Sequence, residues 1–199
     1  MNPYIVQTEY AVTNMFNLLN NEQNNLSKLK QIQSHLDEQH QILYDDFYRK
    51  DLDPDENFTE QQMMQAFTTQ ASFYEARLEP IHREIEKTQQ LIVAQQESIK
   101  ALSGAILQIA KQGISIVHGG LSNCPNGRFF NNEPIKNIIW QGRNQSMHFE
   151  EGKFNHPVVS CFQNIGIPLT NKNLAKEIIN LLNWKSYKDY EADMTLLLG

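Results

Sequence analysis

Apolar residues recur along this chain at helical spacing, most regularly from Tyr74 through Leu78, Ile81, Ile85, Thr88, Ile92, Gln95, Ile99, Leu102, Ile106 and Ile109. The intervals alternate four and three, the mark of a heptad seam sustained over about five repeats. The seam predicts a long helix packed along a partner. That partner is either the helix over residues 26–47, folded back as a hairpin, or a second copy of the chain. Thr88 and Gln95 weaken the seam and are placed to set its register. Pro80 lacks an amide hydrogen and is expected to kink or interrupt the helix near its start.

Upstream, Tyr4, Val6, Tyr10, Val12, Phe16 and Leu19 are loosely periodic and read as helix, with the polar residues 20–25 as a hinge. Leu26, Leu29, Ile32, Leu36, Ile42, Leu43 and Phe47 then resume helical spacing. Residues 51–57, with Pro54 among clustered acids, read as a loop. Thr59 follows as an N-cap, with Gln62 in the capping-box position. Gly113, Gly119 and Gly120 are expected to close the long helix. Residues 121–133 form a loop longer than a compact domain usually needs.

Pro134 is expected at the first position of a helix carrying Ile135, Ile138, Ile139 and Trp140 and ended by Gly152. Residues 156–162 suit helix or strand. Thr170 or Asn171 is expected to cap a helix bearing Leu174, Ile178, Ile179, Leu181 and Leu182. Ser186 caps a last one with Tyr187, Tyr190, Met194 and Leu197. The predicted fold class is all-α: a helical bundle over residues 101–199 with a long helical hairpin or coiled-coil extension over residues 1–100. One continuous domain is the alternative.

Bulk properties narrow the class of protein. A chain of 199 residues with 40% hydrophobic content suits one domain with a helical extension. Its mean hydropathy of -0.52 implies much solvated helix surface. No apolar run is long enough to span a bilayer, and residues 1–16 lack the layout of a signal peptide, so the expected location is cytoplasmic, with no membrane partner. Cys124 and Cys161 make no Cys-x-x-Cys and read as ordinary thiols of a reducing compartment. Asp51, Asp53 and Asp55 would occupy alternate positions of a calcium loop. The sixth and twelfth positions should then be Gly and Glu but are Glu56 and Gln62. Neither a metal nor a cofactor is expected.

The net charge of -6 argues against a general nucleic-acid coat. The balance is uneven, however. Residues 101–160 hold five Lys and Arg against three acids, a net of +2, which leaves -8 for the rest. Any anion is expected to bind in that segment.

Within it stands Arg143-Asn144-Gln145-Ser146-Met147-His148. On a helix Arg143 and His148 are about 140° apart, whereas Asn144 and His148 share a face. A permanent cation for phosphate and an imidazole that titrates near neutrality are the minimum for cleaving a phosphodiester without a metal. Arg77 and His82 repeat the spacing, but Leu78 on the seam and Pro80 between them mark that pair as helix surface.

The motif resembles the signature of the HEPN superfamily, in which an arginine, a polar residue, a short variable stretch and a histidine lie near the end of a helical bundle. The resemblance covers those six residues and, in layout, about residues 102–198. It implies a metal-independent endoribonuclease acting as a homodimer, with two motifs facing each other across a cleft. His148 would then be general base or acid on the ribose 2′-hydroxyl and the leaving oxygen, Arg143 would hold the scissile phosphate, and Asn144 would orient the pair. The product would carry a 2′,3′-cyclic phosphate. The resemblance also implies a setting beside a nucleotidyltransferase-type antitoxin, or in anti-phage defence. The nearby cations Lys136 and Lys153 are expected to bind the RNA substrate.

Other residues take plainer readings. His118 suits a helix C-cap, Glu150 and Glu151 a solvated helix end, and Trp140 core packing in preference to stacking on Arg143. His35 and His40 are assigned to a polar helix face, and His156 to a loop. Two further functions remain open: a catalytically silent HEPN-like protein, and a coiled-coil interaction or scaffold protein. The sequence pI near 5.5 leans towards both.

Overall fold

Asn2 and Pro3 set the first helix going: the Asn2 carboxamide accepts from the Tyr4 amide at 3.0 Å, and Pro3 follows with its backbone angle already fixed. The computed structural model describes residues 2–49 and 59–199. Residues 51–57, read as a loop and weighed as a calcium site, lie outside them. The chain is all-α: α1 (Pro3–Arg49), α2 (Glu60–Phe73), α3 (Glu79–His118), α4 (Ile135–His148), α5 (His156–Ile165), α6 (Ala175–Leu181) and α7 (Tyr187–Leu198). A small antiparallel ribbon, β1 (Phe129–Phe130) with β2 (Glu133–Pro134), precedes α4. No helix among the described residues is long and apolar enough to cross a membrane.

Two compact units result, one of Met1–Gln23 with Gln96–Gly199, the other of Asn24–Gln95. The first unit takes in the start of α1, which the sequence pattern assigned to the extension. Ile5, Val12, Phe16 and Leu19 are all buried there. Each such side chain contributes roughly 1.5–3 kcal/mol. The Tyr4 hydroxyl donates to the Ile109 carbonyl at 2.8 Å, and the Phe16 ring lies 6.4 Å from that of Tyr190. Residues 20–25, expected as a hinge, are helical. The Asn20 amide donates to the Lys185 carbonyl instead of competing for its own backbone.

Gly113 does not close α3 but lies within it. A Cβ there would come within 2.7 Å of the Tyr4 ring, so the glycine admits that ring. Gly119, with φ +71, and Gly120 end the helix as expected. The heptad seam widens in this unit: Ser103, Ile106, Leu107, Ala110 and Ile114 are all buried, more than one stripe of α3. The remaining core comes from Ile135, Ile138 and Ile139 of α4, Phe162 of α5, Ile178 of α6 and Met194 of α7. The ambiguous segment at residues 156–162 is helical, because Asn155 caps it by accepting from the Val158 amide.

In the second unit α1 runs antiparallel to α3. Gln33 donates to Gln89 at 2.8 Å, the rings of His40 and His82 lie 6.2 Å apart, and Phe47 meets Phe73 and Tyr74. Of the two partners the seam allowed, the folded-back helix is the one seen. The inner stripe of α1 is Leu26, Leu29, Gln33, Leu36, His40, Leu43 and Phe47, all half-buried, while Ile32 and Ile42 are exposed. His40 therefore belongs to the seam and not to a polar face. Ahead of Pro80 the helix opens into a π turn at Tyr74–Leu78, where the Glu79 amide reaches back to the Tyr74 carbonyl. The wider turn lets the chain continue past a residue that has no amide hydrogen.

Candidate functional site

Helix α4 carries the Arg143–His148 motif, and its start is fixed by the ribbon. Pro134 is the N-cap, one residue before its expected place. The buried Glu133 carboxylate accepts from the Asn137 and Asn164 amides, each at 2.7 Å. Ile135, Ile138, Ile139, Gly142, Gln145 and Ser146 face inward. Gly142 lets α6 come close, since a Cβ there would lie 3.0 Å from Ile178. Past His148 the chain makes a 3-10 turn over Phe149–Glu151, and Gly152 ends it with φ +64.

The six motif residues split between framework and surface. Gln145 is fully buried: its carbonyl accepts from the Leu174 amide at 3.0 Å and its amide donates to the Lys172 carbonyl at 2.8 Å. Together with Asn173, which accepts from the Ala175 amide, it starts α6, in place of the expected Thr170 or Asn171 cap. Ser146 returns its hydroxyl to the Arg143 carbonyl. Arg143 and Asn144 are half-buried, and Met147 and His148 are exposed.

Asn144, His148, Glu151, Lys153, Phe154, Asn155 and Val158 line an open hollow of about 360 Å³. In it His148 Nδ1 meets a Glu151 carboxylate oxygen at 2.7 Å. Arg143 is not among the lining residues. Its Nε donates instead to the Gln108 side-chain carbonyl on α3. Asn144 links the two sides: its carbonyl accepts from Lys111 Nζ at 2.9 Å, and its amide donates to Gln141 at 3.2 Å. Lys111 also lies over the Trp140 ring, 4.5 Å from its centre. Burial lowers the Lys111 pKa, and the Arg143 charge lowers it further.

Of the expected substrate-binding cations, Lys153 is exposed at the hollow. Lys136 is half-buried and donates to the Cys124 carbonyl at 2.7 Å, which ties it to the turn before the ribbon. His118 lies away from the hollow and donates to the Leu197 carbonyl at 2.7 Å. Arg77 and His82 are exposed, His82 beside Glu86 at 3.4 Å. Both cysteines are free and buried. Among the described residues, no three of His, Cys, Asp and Glu converge as a metal site.

Sequence reasoning overlooked Gln108 and Lys111. Three apart on α3, they share a face, and Lys111 belongs to the basic segment. What the pattern lacked was which face of α3 meets α4.

Comparison with models of protein families finds no match, and no characterised protein or solved structure compared with the chain matches it significantly.

Proposed function

We propose that the chain is a metal-independent endoribonuclease of HEPN type, acting on RNA through Arg143, Asn144 and His148 as a homodimer. One observation supports this above the others: Asn144 and His148 open on one hollow, and the imidazole meets Glu151 there through Nδ1. Nδ1 then carries the proton facing Glu151, and Nε2 presents its lone pair to a substrate. RNA brings its own nucleophile. His148 Nε2 takes the 2′-hydroxyl proton as the 2′-oxygen bonds to the adjacent phosphorus, and the bond from phosphorus to the 5′-oxygen breaks. The facing copy's His148, starting as the imidazolium, gives its Nε2 proton to the 5′-oxygen and ends neutral. The products are a 2′,3′-cyclic phosphate and a 5′-hydroxyl end. Arg143, with its terminal nitrogens making no hydrogen bond among the described residues, supplies positive charge to the phosphate in the transition state. An antitoxin of nucleotidyltransferase type and a place in anti-phage defence belong to the same proposal, as does a cytoplasmic location.

The test is cleavage of mixed tRNA and mRNA in EDTA by wild type, His148→Ala and Arg143→Ala. Cyclic-phosphate ends from wild type, lost in both variants, are expected. RNA left equally intact by all three would sink the nuclease reading. The second reading, a catalytically silent interaction protein, is favoured by Arg143 lying outside the hollow lined by His148. That reading requires the intact RNA.

A further inference from the structure

Two half-buried cations of this fold are paired with a carboxylate. Arg128 lies against the Asp193 carboxylate at 2.6 Å, and Lys100 against the Glu97 carboxylate at 2.7 Å. Lys111 and Arg143 are treated differently. They come from α3 and α4, close enough for one charge to disfavour the other. Neither forms an ion pair with a carboxylate among the described residues, although acids outnumber bases 23 to 17 in the chain. Each is anchored by a side-chain amide oxygen, Arg143 by Gln108 and Lys111 by Asn144. An amide oxygen orients a cation without neutralising it. The face of Trp140 steadies Lys111 from a further direction.

Two oriented cations left unneutralised beside a half-exposed surface favour an anion, because bound anion relieves their repulsion. We propose that Lys111 and Arg143 form a two-cation site for the phosphodiester of single-stranded RNA, with Lys111 as its second cation. The proposal rests on the nuclease reading for its substrate, and deepens it. Asn144 makes the connection: the residue that holds Lys111 also lines the hollow of His148. A phosphate lying over Asn144 has both cations on the α3 side and the imidazole one helical turn further along α4.

The test measures binding of a 2′-O-methyl RNA oligonucleotide, which has no free 2′-hydroxyl and is not cleaved, by fluorescence anisotropy across a salt series. Wild type, Lys111→Met, Lys111→Arg, Arg143→Met and the exposed control Lys87→Met are compared by affinity and by the slope of log K against log salt. For single strands each phosphate neutralised contributes about 0.7 to that slope. Lys111→Met and Arg143→Met are each expected to weaken binding about tenfold, as the loss of a charged hydrogen bond does, and to reduce the slope by about 0.7. Lys111→Arg restores the slope, and Lys87→Met leaves it unchanged. A purely structural lysine would alter stability without moving the slope.

Wild-type affinity and slope in Lys111→Met would overturn the proposal, as would failure of wild type to bind the oligonucleotide. The two readings fail separately. Lysine-dependent binding with intact unmodified RNA leaves the anion site standing and removes the nuclease. Normal cleavage by Lys111→Met does the reverse.

Discussion

His148 and Glu151 stand three residues apart at the end of α4, with Nδ1 and a carboxylate oxygen separated by 2.7 Å. Both side chains are more than half exposed, so the pair adds little to stability. In the proposed nuclease this contact orients the imidazole. Glu151→Ala is therefore expected to leave the urea midpoint unchanged while, on the nuclease proposal, lowering RNA cleavage about tenfold, as the loss of one charge-assisted hydrogen bond to the imidazole would. A rate within twofold of wild type would return Glu151 to the role of solvated helix end.

Gln145 sits inside the motif with its side chain committed to the backbone ahead of α6. Its removal strips the Leu174 amide of an acceptor and the Lys172 carbonyl of a donor in a fully buried place. Gln145→Ala is expected to destabilise the protein by about 1–3 kcal/mol, read as a lower urea midpoint. The folded fraction should keep wild-type oligonucleotide binding. Lost binding at unchanged stability would place Gln145 in the site instead.

The fold was legible wherever periodicity or capping chemistry governs a helix. Leu78, Thr88, Ile92, Ile99 and Ile106, drawn from the seam, are buried, and Thr59 and Ser186 form complete capping boxes. What the pattern did not carry was tertiary. Gly113 looks like a terminator in one dimension and is a socket for Tyr4 in three. Residues 20–25 look like a hinge because Asn favours turns, yet the Asn20 side chain finds its partner in the Lys185 carbonyl. Ile32 and Ile42 look like core, whereas Gln33 and His40 occupy the inner stripe, where paired polar residues across the hairpin fix its register. The candidate site was legible only as far as one helix reached. Arg143, Asn144 and His148 could be named from α4, but Gln108 and Lys111 come from a helix about thirty-five residues away in sequence.

Arg128 and Asp193 tie the ribbon to α7. The guanidinium contacts both carboxylate oxygens, at 2.6 and 2.7 Å, and reaches the Leu182 carbonyl at 2.5 Å. Trp184 Nε1 donates to the same carboxylate at 2.7 Å. Asp193→Ala leaves a guanidinium and an indole N–H without their acceptor. Arg128 keeps 39% side-chain exposure, which lets water offset part of the loss. A destabilisation on the order of 3 kcal/mol is expected, measured by urea unfolding, with Asp193→Asn intermediate because it keeps one acceptor. A change below about 0.5 kcal/mol, the range of an ordinary surface substitution, would refute the assignment.

Cys161 gives a prediction in pH. Burial pushes its thiol up to about 12, helped by the charge of Glu133 and a hydrogen bond to it. A raised thiol pKa means that the folded state holds its proton where the unfolded chain, near 9, has released it. The resulting stability is complete below pH 9 and is lost as pH rises towards 12. At pH 8 in native buffer Cys161 should therefore stay unmodified by iodoacetamide, while 8 M urea exposes it to rapid alkylation. Glu133→Gln removes the smaller causes and keeps the largest, so Cys161 in that variant should remain protected at pH 8 while its stability falls off less steeply above pH 9. Rapid native alkylation of Cys161 at pH 8 would show that the packing of α5 against the ribbon opens far more readily than its burial implies.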